Sequence, residues 1–167
     1  GSYALKSNTT GYQNTATGRS ALFSNTSGSY NTAHGVVALR SNEQGMFNTA
    51  VGNSALANNQ QSSNTAVGYR ALYYNESGYS NVALGAKALL RNSNRSNLVA
   101  IGDSALYNNG YGASTADQAI LNTAVGSKAL FSNTEGSANT GIGYQALYSN
   151  SRGKGNTAHG NSAMTSN

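Results

Sequence analysis

The sequence predicts an all-β chain, a parallel β-roll or β-solenoid of about ten 17-residue coils. Three observations predict it. A Gly-x-x-Ala-Leu element starts at Gly1, Gly18, Gly35, Gly52, Gly68, Gly85, Gly102, Gly126, Gly143 and Gly160, mostly at intervals of 17 residues, with Met164 in place of the last Leu. An Asn stands three residues beyond each Leu or Met, at Asn8, Asn25, Asn42, Asn59, Asn75, Asn92, Asn109, Asn133, Asn150 and Asn167. A short alternating segment of the type Asn-Thr-Ala-Val then leads into the next Gly. Seventeen residues is too short for a helix-turn-helix repeat, and frequent Gly with Asn-Thr pairs makes weak helices. The unit suits one coil of two or three short strands. Such a coil cannot bury its apolar residues alone, so neighbours must stack on it. At about 4.8 Å per coil, ten coils make a rod segment roughly 45 Å long.

Within the unit, the Ala-Leu element comes first. Leu5, Leu22, Leu39, Leu56, Leu72, Leu89, Leu106, Leu130, Leu147 and Met164 form an inward ladder. Each contributes on the order of 2 kcal/mol when buried, before the ordering entropy is subtracted. The residue after Leu then faces outward, and Phe23, Tyr73, Tyr107, Phe131 and Tyr148 make an interrupted aromatic stripe. Rings beside Asn, Ser and Arg stack either on a sugar face or against another chain, so these five are candidate ligand contacts. Next comes Asn-x-x-Gly, with Gly11, Gly28, Gly45, Gly78, Gly112, Gly136 and Gly153, read as the corner of each coil and expected to contain a positive φ. The Asn amide there is expected to bond nearby backbone or the Asn one coil away. Tyr12, Tyr30, Phe47 and Tyr79 form a second broken aromatic column beyond it.

The strand closes the unit. Alternation groups Thr15/Thr17, Thr49/Val51, Thr65/Val67, Val82/Leu84, Val99/Ile101, Thr123/Val125 and Thr140/Ile142 on one face, expected to be the interior because they are β-branched or apolar. It places Ala16, Ala33, Ala50, Ala66, Ala83, Ala100, Ala124, Gly141 and Ala158 on the opposite face. A column of small residues admits another backbone closely, so these nine are expected to form the contact between chains. The competing reading is that Ala and Gly relieve crowding inside a narrow coil. A single Leu-plus-Val core per coil is thin for 17 ordered residues, which favours oligomerisation.

The repeat slips in three places. Gln60-Gln61-Ser62-Ser63 lacks the turn Gly and one residue, Arg95 replaces that Gly in another coil, and the interval from Gly102 to Gly126 is 24 residues. The last slip predicts a protruding insertion around 110–121, and Tyr111 within it joins the candidate ligand contacts. The whole of 1–167 is otherwise one repeat domain.

Composition excludes several function classes. The ten Lys and Arg and five Asp and Glu give a net charge of +5, but they are scattered singly, without the basic stripe of a nucleic-acid binder. No run approaches the roughly 20 apolar residues of a membrane-spanning helix, and no cysteine is present for a disulfide. His34 and His159 stand alone in the Val column, so no metal site is expected. Glu43, Glu76, Asp103, Asp117 and Glu135 form no recurring carboxylate pair, and no Ser has a recognisable base. No catalytic residue and no cofactor is expected. An ice-binding solenoid is a further alternative suggested by the Thr ladder, opposed by the lack of a sustained two-Thr face and by the assignment of those Thr to the interior.

Asn-Thr-Ala-Val-Gly, Asn-Leu-Val-Ala-Ile-Gly at 97–102 and Gly-Tyr-Gln-Ala-Leu-Tyr-Ser-Asn at 143–150 together resemble the head repeats of trimeric autotransporter adhesins, and also repeats of bacterial and phage-like trimeric fibres. The resemblance covers essentially the whole chain, although the typical head repeat is shorter. It implies left-handed β-rolls in a parallel homotrimer, an extracellular or cell-surface location, and attachment to a glycan or protein receptor. It also implies a purely structural shaft as the alternative role. By the same resemblance Val99 and Ile101 are inward positions and Ala100 and Gly102 lie near partner chains.

Overall fold

The computed structural model describes residues 1–166; Asn167, the last of the Asn series, lies outside them. Nine three-residue strands follow one another: β1 Thr15–Thr17, β2 Thr32–His34, β3 Thr49–Val51, β4 Thr65–Val67, β5 Val82–Leu84, β6 Val99–Ile101, β7 Thr123–Val125, β8 Thr140–Ile142 and β9 Thr157–His159. They form one parallel sheet in sequence order, with each Thr-Ala-Val segment in register with the next, as in Thr49↔Thr65, Ala50↔Ala66 and Val51↔Val67. The chain is therefore an all-β parallel solenoid, and no described residue is helical.

Each coil contains one strand, fewer than the two or three expected. The Ala-Leu element is not a strand but a pair of tight turns. In one coil Val37 (φ 53°) and Leu39 (φ 49°) are both left-handed, and every other Leu of the Ala-Leu ladder repeats this. The alternation sends successive amides to opposite neighbours: Val37 N–H donates to Arg19 O in the coil before, Leu39 N–H to Ala55 O in the coil after. Left-handed backbone costs a non-glycine residue about 1 kcal/mol or more. Burial of the Leu offsets it, since Leu22 through Leu147 in this ladder are 0% exposed.

The interior is narrower than a Leu-plus-Val core. The central strand residues Ala33, Ala50, Ala66, Ala83, Ala100 and Ala124 are fully buried within their own chain, Gly141 and Ala158 are buried, and Ala16 is half-buried. The Thr, Val, Leu and Ile that flank them point outward. The face assignment is thus the reverse of that expected, for Val99 and Ile101 as for the rest, and the crowding explanation of the small residues is the correct one. Leu from one wall and Asn from the other already fill the coil, and only a methyl group fits between them.

Two Asn columns form that other wall. Asn42 Nδ2 donates both to Asn25 Oδ1 in the preceding coil (3.1 Å) and to Gly45 O in its own turn (2.9 Å), while Asn42 Oδ1 accepts from Asn59. The second column is the Asn before each strand: Asn48 N–H donates to Asn31 Oδ1 and its amide reaches the next turn at Gln61 O. The turn Gly follows from this arrangement. A Cβ on Gly45 would lie 2.3 Å from Asn42 Oδ1 and 2.5 Å from Gln61 O. The turn glycines Gly28 and Gly45 do not take the expected positive φ; the left-handed residue is two positions later, at Tyr30 and Phe47.

Candidate functional site

The outward side of the sheet carries two ranked columns. One runs Thr15, Thr32, Thr49, Thr65, Val82, Val99, Thr123, Thr140 and Thr157; the other runs Thr17, His34, Val51, Val67, Leu84, Ile101, Val125, Ile142 and His159. Six successive aliphatic side chains therefore lie side by side between two histidines. Val67, Ile101 and Ile142 are 38%, 37% and 37% exposed on the single chain. The nine small residues expected at a chain contact, Ala16, Ala33, Ala50, Ala66, Ala83, Ala100, Ala124, Gly141 and Ala158, lie behind this face. Period-two alternation in the sequence separates the two faces correctly but does not say which is inside. The usable signal was the hydroxyl: a Thr interior needs a partner for each Oγ1, and the Asn amides already occupy the interior acceptors.

The residues after Leu are half-buried at Phe23, Tyr73, Tyr107, Phe131 and Tyr148. Three of them form a continuous ladder. Tyr107 and Phe131 stack at 5.0 Å with planes 17° apart, and Phe131 and Tyr148 at 5.2 Å and 6°. Phe23 stands apart, held between two cations of the same column, with Lys6 Nζ 5.4 Å and the Arg40 guanidinium 5.7 Å from its ring centre. Tyr73 is separated from Tyr107 by buried Leu90 and meets Tyr74 edge-on at 4.7 Å. In the second column Tyr30 stacks on Phe47 at 5.0 Å and meets Tyr12 at 5.1 Å. The Tyr30 phenol is held above its ordinary pKa, first by its hydrogen bond with Tyr12.

The insertion and Arg95, separate irregularities in the sequence, fit together in space. In a regular coil the Asn amide bonds the Gly carbonyl three residues on, whereas Asn109 bonds Ala119 O ten residues on. The chain between them bulges outward and leaves room for a side chain at position 95. Arg95 is almost fully buried there, and its Nη2 donates to Ala113 O at 3.2 Å. Its Nε and Asn92 Oδ1 are the two buried side-chain atoms without a partner among the described residues. The second lacks the donor found in regular coils: the next ladder Asn donates to Asn25, Asn42 and Asn75 Oδ1, whereas the Asn109 amide donates to Ala119 O. Tyr111 is exposed on the insertion, its ring 4.4 Å from the Arg91 guanidinium.

Among the described residues no three His, Cys, Asp or Glu side chains cluster as a metal site, and no helix is long and apolar enough to cross a membrane. Comparison with protein-family models, curated proteins and solved structures gives no match in any of the three. The class that the geometry defines is a repetitive parallel β-solenoid scaffold, in keeping with fibrous repeat proteins in general.

Proposed function

We propose that the chain is a non-catalytic segment of a homotrimeric surface fibre, packed through the outward Thr/Val/Ile face of its sheet and located outside the cell. It spaces or displays a recognition element that contacts a cell-surface glycan or protein. The observation that carries this reading is the uninterrupted aliphatic column Val51, Val67, Leu84, Ile101, Val125 and Ile142 on an in-register parallel sheet. A face of that kind is a poor solvent surface and a good one for a sister chain. Burying each of these side chains contributes about 1.5–3 kcal/mol. The side-by-side parallel arrangement implied by the resemblance brings equivalent residues of the three chains to the same level.

Because the chain has no cysteine, single thiols report on the face directly. The expected result is slow alkylation of Ile101→Cys in the native protein, with Ser77→Cys on an exposed turn reacting at the rate of a free thiol. Equal rates at both sites contradict the proposal.

A second reading draws on the outward Thr column. With Thr15 through Thr157 outside the coil, the objection from an interior Thr ladder falls, while the lack of a sustained two-Thr face stands, since Val82 and Val99 interrupt the column. Leu84, His34 and His159 interrupt the regularity of the neighbouring column, so the fibre reading is preferred. It predicts no thermal hysteresis; a clear hysteresis gap lost in Thr65→Leu would favour ice binding instead.

A further inference from the structure

The insertion closes one side of a cleft of about 290 Å³ lined by Tyr74, Glu76, Arg91, Ser93, Tyr111 and the glycines at 110 and 112. Its walls come from equivalent positions of neighbouring coils, where the repeat otherwise places small polar residues. The position before the ladder Asn is Ser or Asn in the other regular coils but Tyr74 and Arg91 in these two. Gly110 (φ 72°) and Gly112 (φ 83°) turn the chain so that Tyr111 stands over the Arg91 guanidinium. The same guanidinium lies 5.8 Å from the Tyr107 ring, which links the cleft to the Tyr107–Phe131–Tyr148 ladder.

Resting on the reading of the chain as part of an adhesive fibre, we infer that this cleft binds one pyranose ring of a neutral glycan. The volume is at the lower end of small-molecule sites, about 300–1,000 Å³. Tyr74 and Tyr111 offer ring faces for the C–H face of a sugar. Glu76 and Arg91 form no ion pair; the one salt bridge among the described residues joins Arg152 and Glu135. The carboxylate is thus available to accept from one hydroxyl, and the guanidinium to donate to its neighbour or to the ring oxygen. Glu76 and Arg91 leave the lining with no net charge, and together they present one acceptor and one donor, which match adjacent hydroxyls of a neutral polyol. None of the lining residues belongs to β1–β9.

The test is saturation-transfer NMR on the intact segment with the methyl pyranosides of glucose, galactose, mannose, fucose and N-acetylglucosamine. At least one is expected to bind, and Tyr111→Ala and Glu76→Gln each to weaken it tenfold or more, with Tyr144→Ser, at an exposed tyrosine outside the cleft, unchanged. Absence of transfer from all five sugars, or binding insensitive to Tyr111→Ala and Glu76→Gln, overturns the inference. Mass measured on the same samples separates the two proposals: a trimer that binds no pyranoside removes the cleft and leaves the fibre, and a monomer that binds one does the reverse.

Discussion

At the residue scale, the fold rests on an exchange between Asn and Gly. Asn42 occupies the corner of its coil, and Gly45 is glycine because the Asn42 amide fills the space of a Cβ. Truncating Asn42 to Ala leaves Gly45 O and the amide of Asn59 short of partners inside the coil. A loss of about 1–3 kcal/mol is expected for such buried groups, measured by chemical denaturation. Gly45→Ala is expected to be at least as damaging, since the new methyl meets both a side-chain oxygen and a neighbouring carbonyl. Near-neutral values for both substitutions contradict the role given to this pair. A smaller effect belongs to Asp117, whose carboxylate is held below the ordinary Asp pKa, first by the Thr115 hydroxyl that donates to it. A depressed folded value means that this contact stabilises the loop at neutral pH and is lost as pH falls through that value. In Thr115→Ala the Asp117 titration midpoint, followed by NMR, is expected to move up.

At the scale of the element, the insertion and the coil beneath it behave as one unit. Arg95 stands where the turn Gly is usual, and a Cβ on Gly110 would lie 2.9 Å from its Cγ. Removing 111–117 restores a regular turn length and is expected to destabilise the chain while Arg95 remains. The same deletion with Arg95→Gly is expected to recover most of the loss, a coupling of about 0.5–3 kcal/mol read from a double-mutant cycle. Additive effects contradict the shared-space account. The period and the Leu ladder were legible in the sequence, because each is a matter of spacing. The direction of the strand faces was not. Thr49 and Val51 look like core residues by type, and their exclusion follows from how much volume Leu56 and Asn48 leave, which spacing does not report. The cleft was illegible for a related reason: Tyr74 and Arg91 share one phase of the repeat, but Glu76 and Tyr111 fall in two others, and the turns had yet to be placed.

For the whole molecule, nine paired strands give a sheet that is sealed by its own Ala, Leu and Asn on one side and left with an aliphatic column on the other. The core of each coil is complete within one chain, so association is not needed to fill the interior. In the proposed trimer, sister chains cover the outside of the sheet, where Val67, Ile101 and Ile142 are more than one third exposed on the single chain. On the proposed reading, the chain is a coil that folds around itself and offers one face of its sheet to sister chains. The most direct measurement is the native mass of the purified segment, by mass spectrometry or light scattering. The account predicts about three times the 17.1 kDa of one chain, falling to a single chain in Ile101→Asp. A stable monomer at micromolar concentration, with the solenoid's β-type circular dichroism intact, contradicts it.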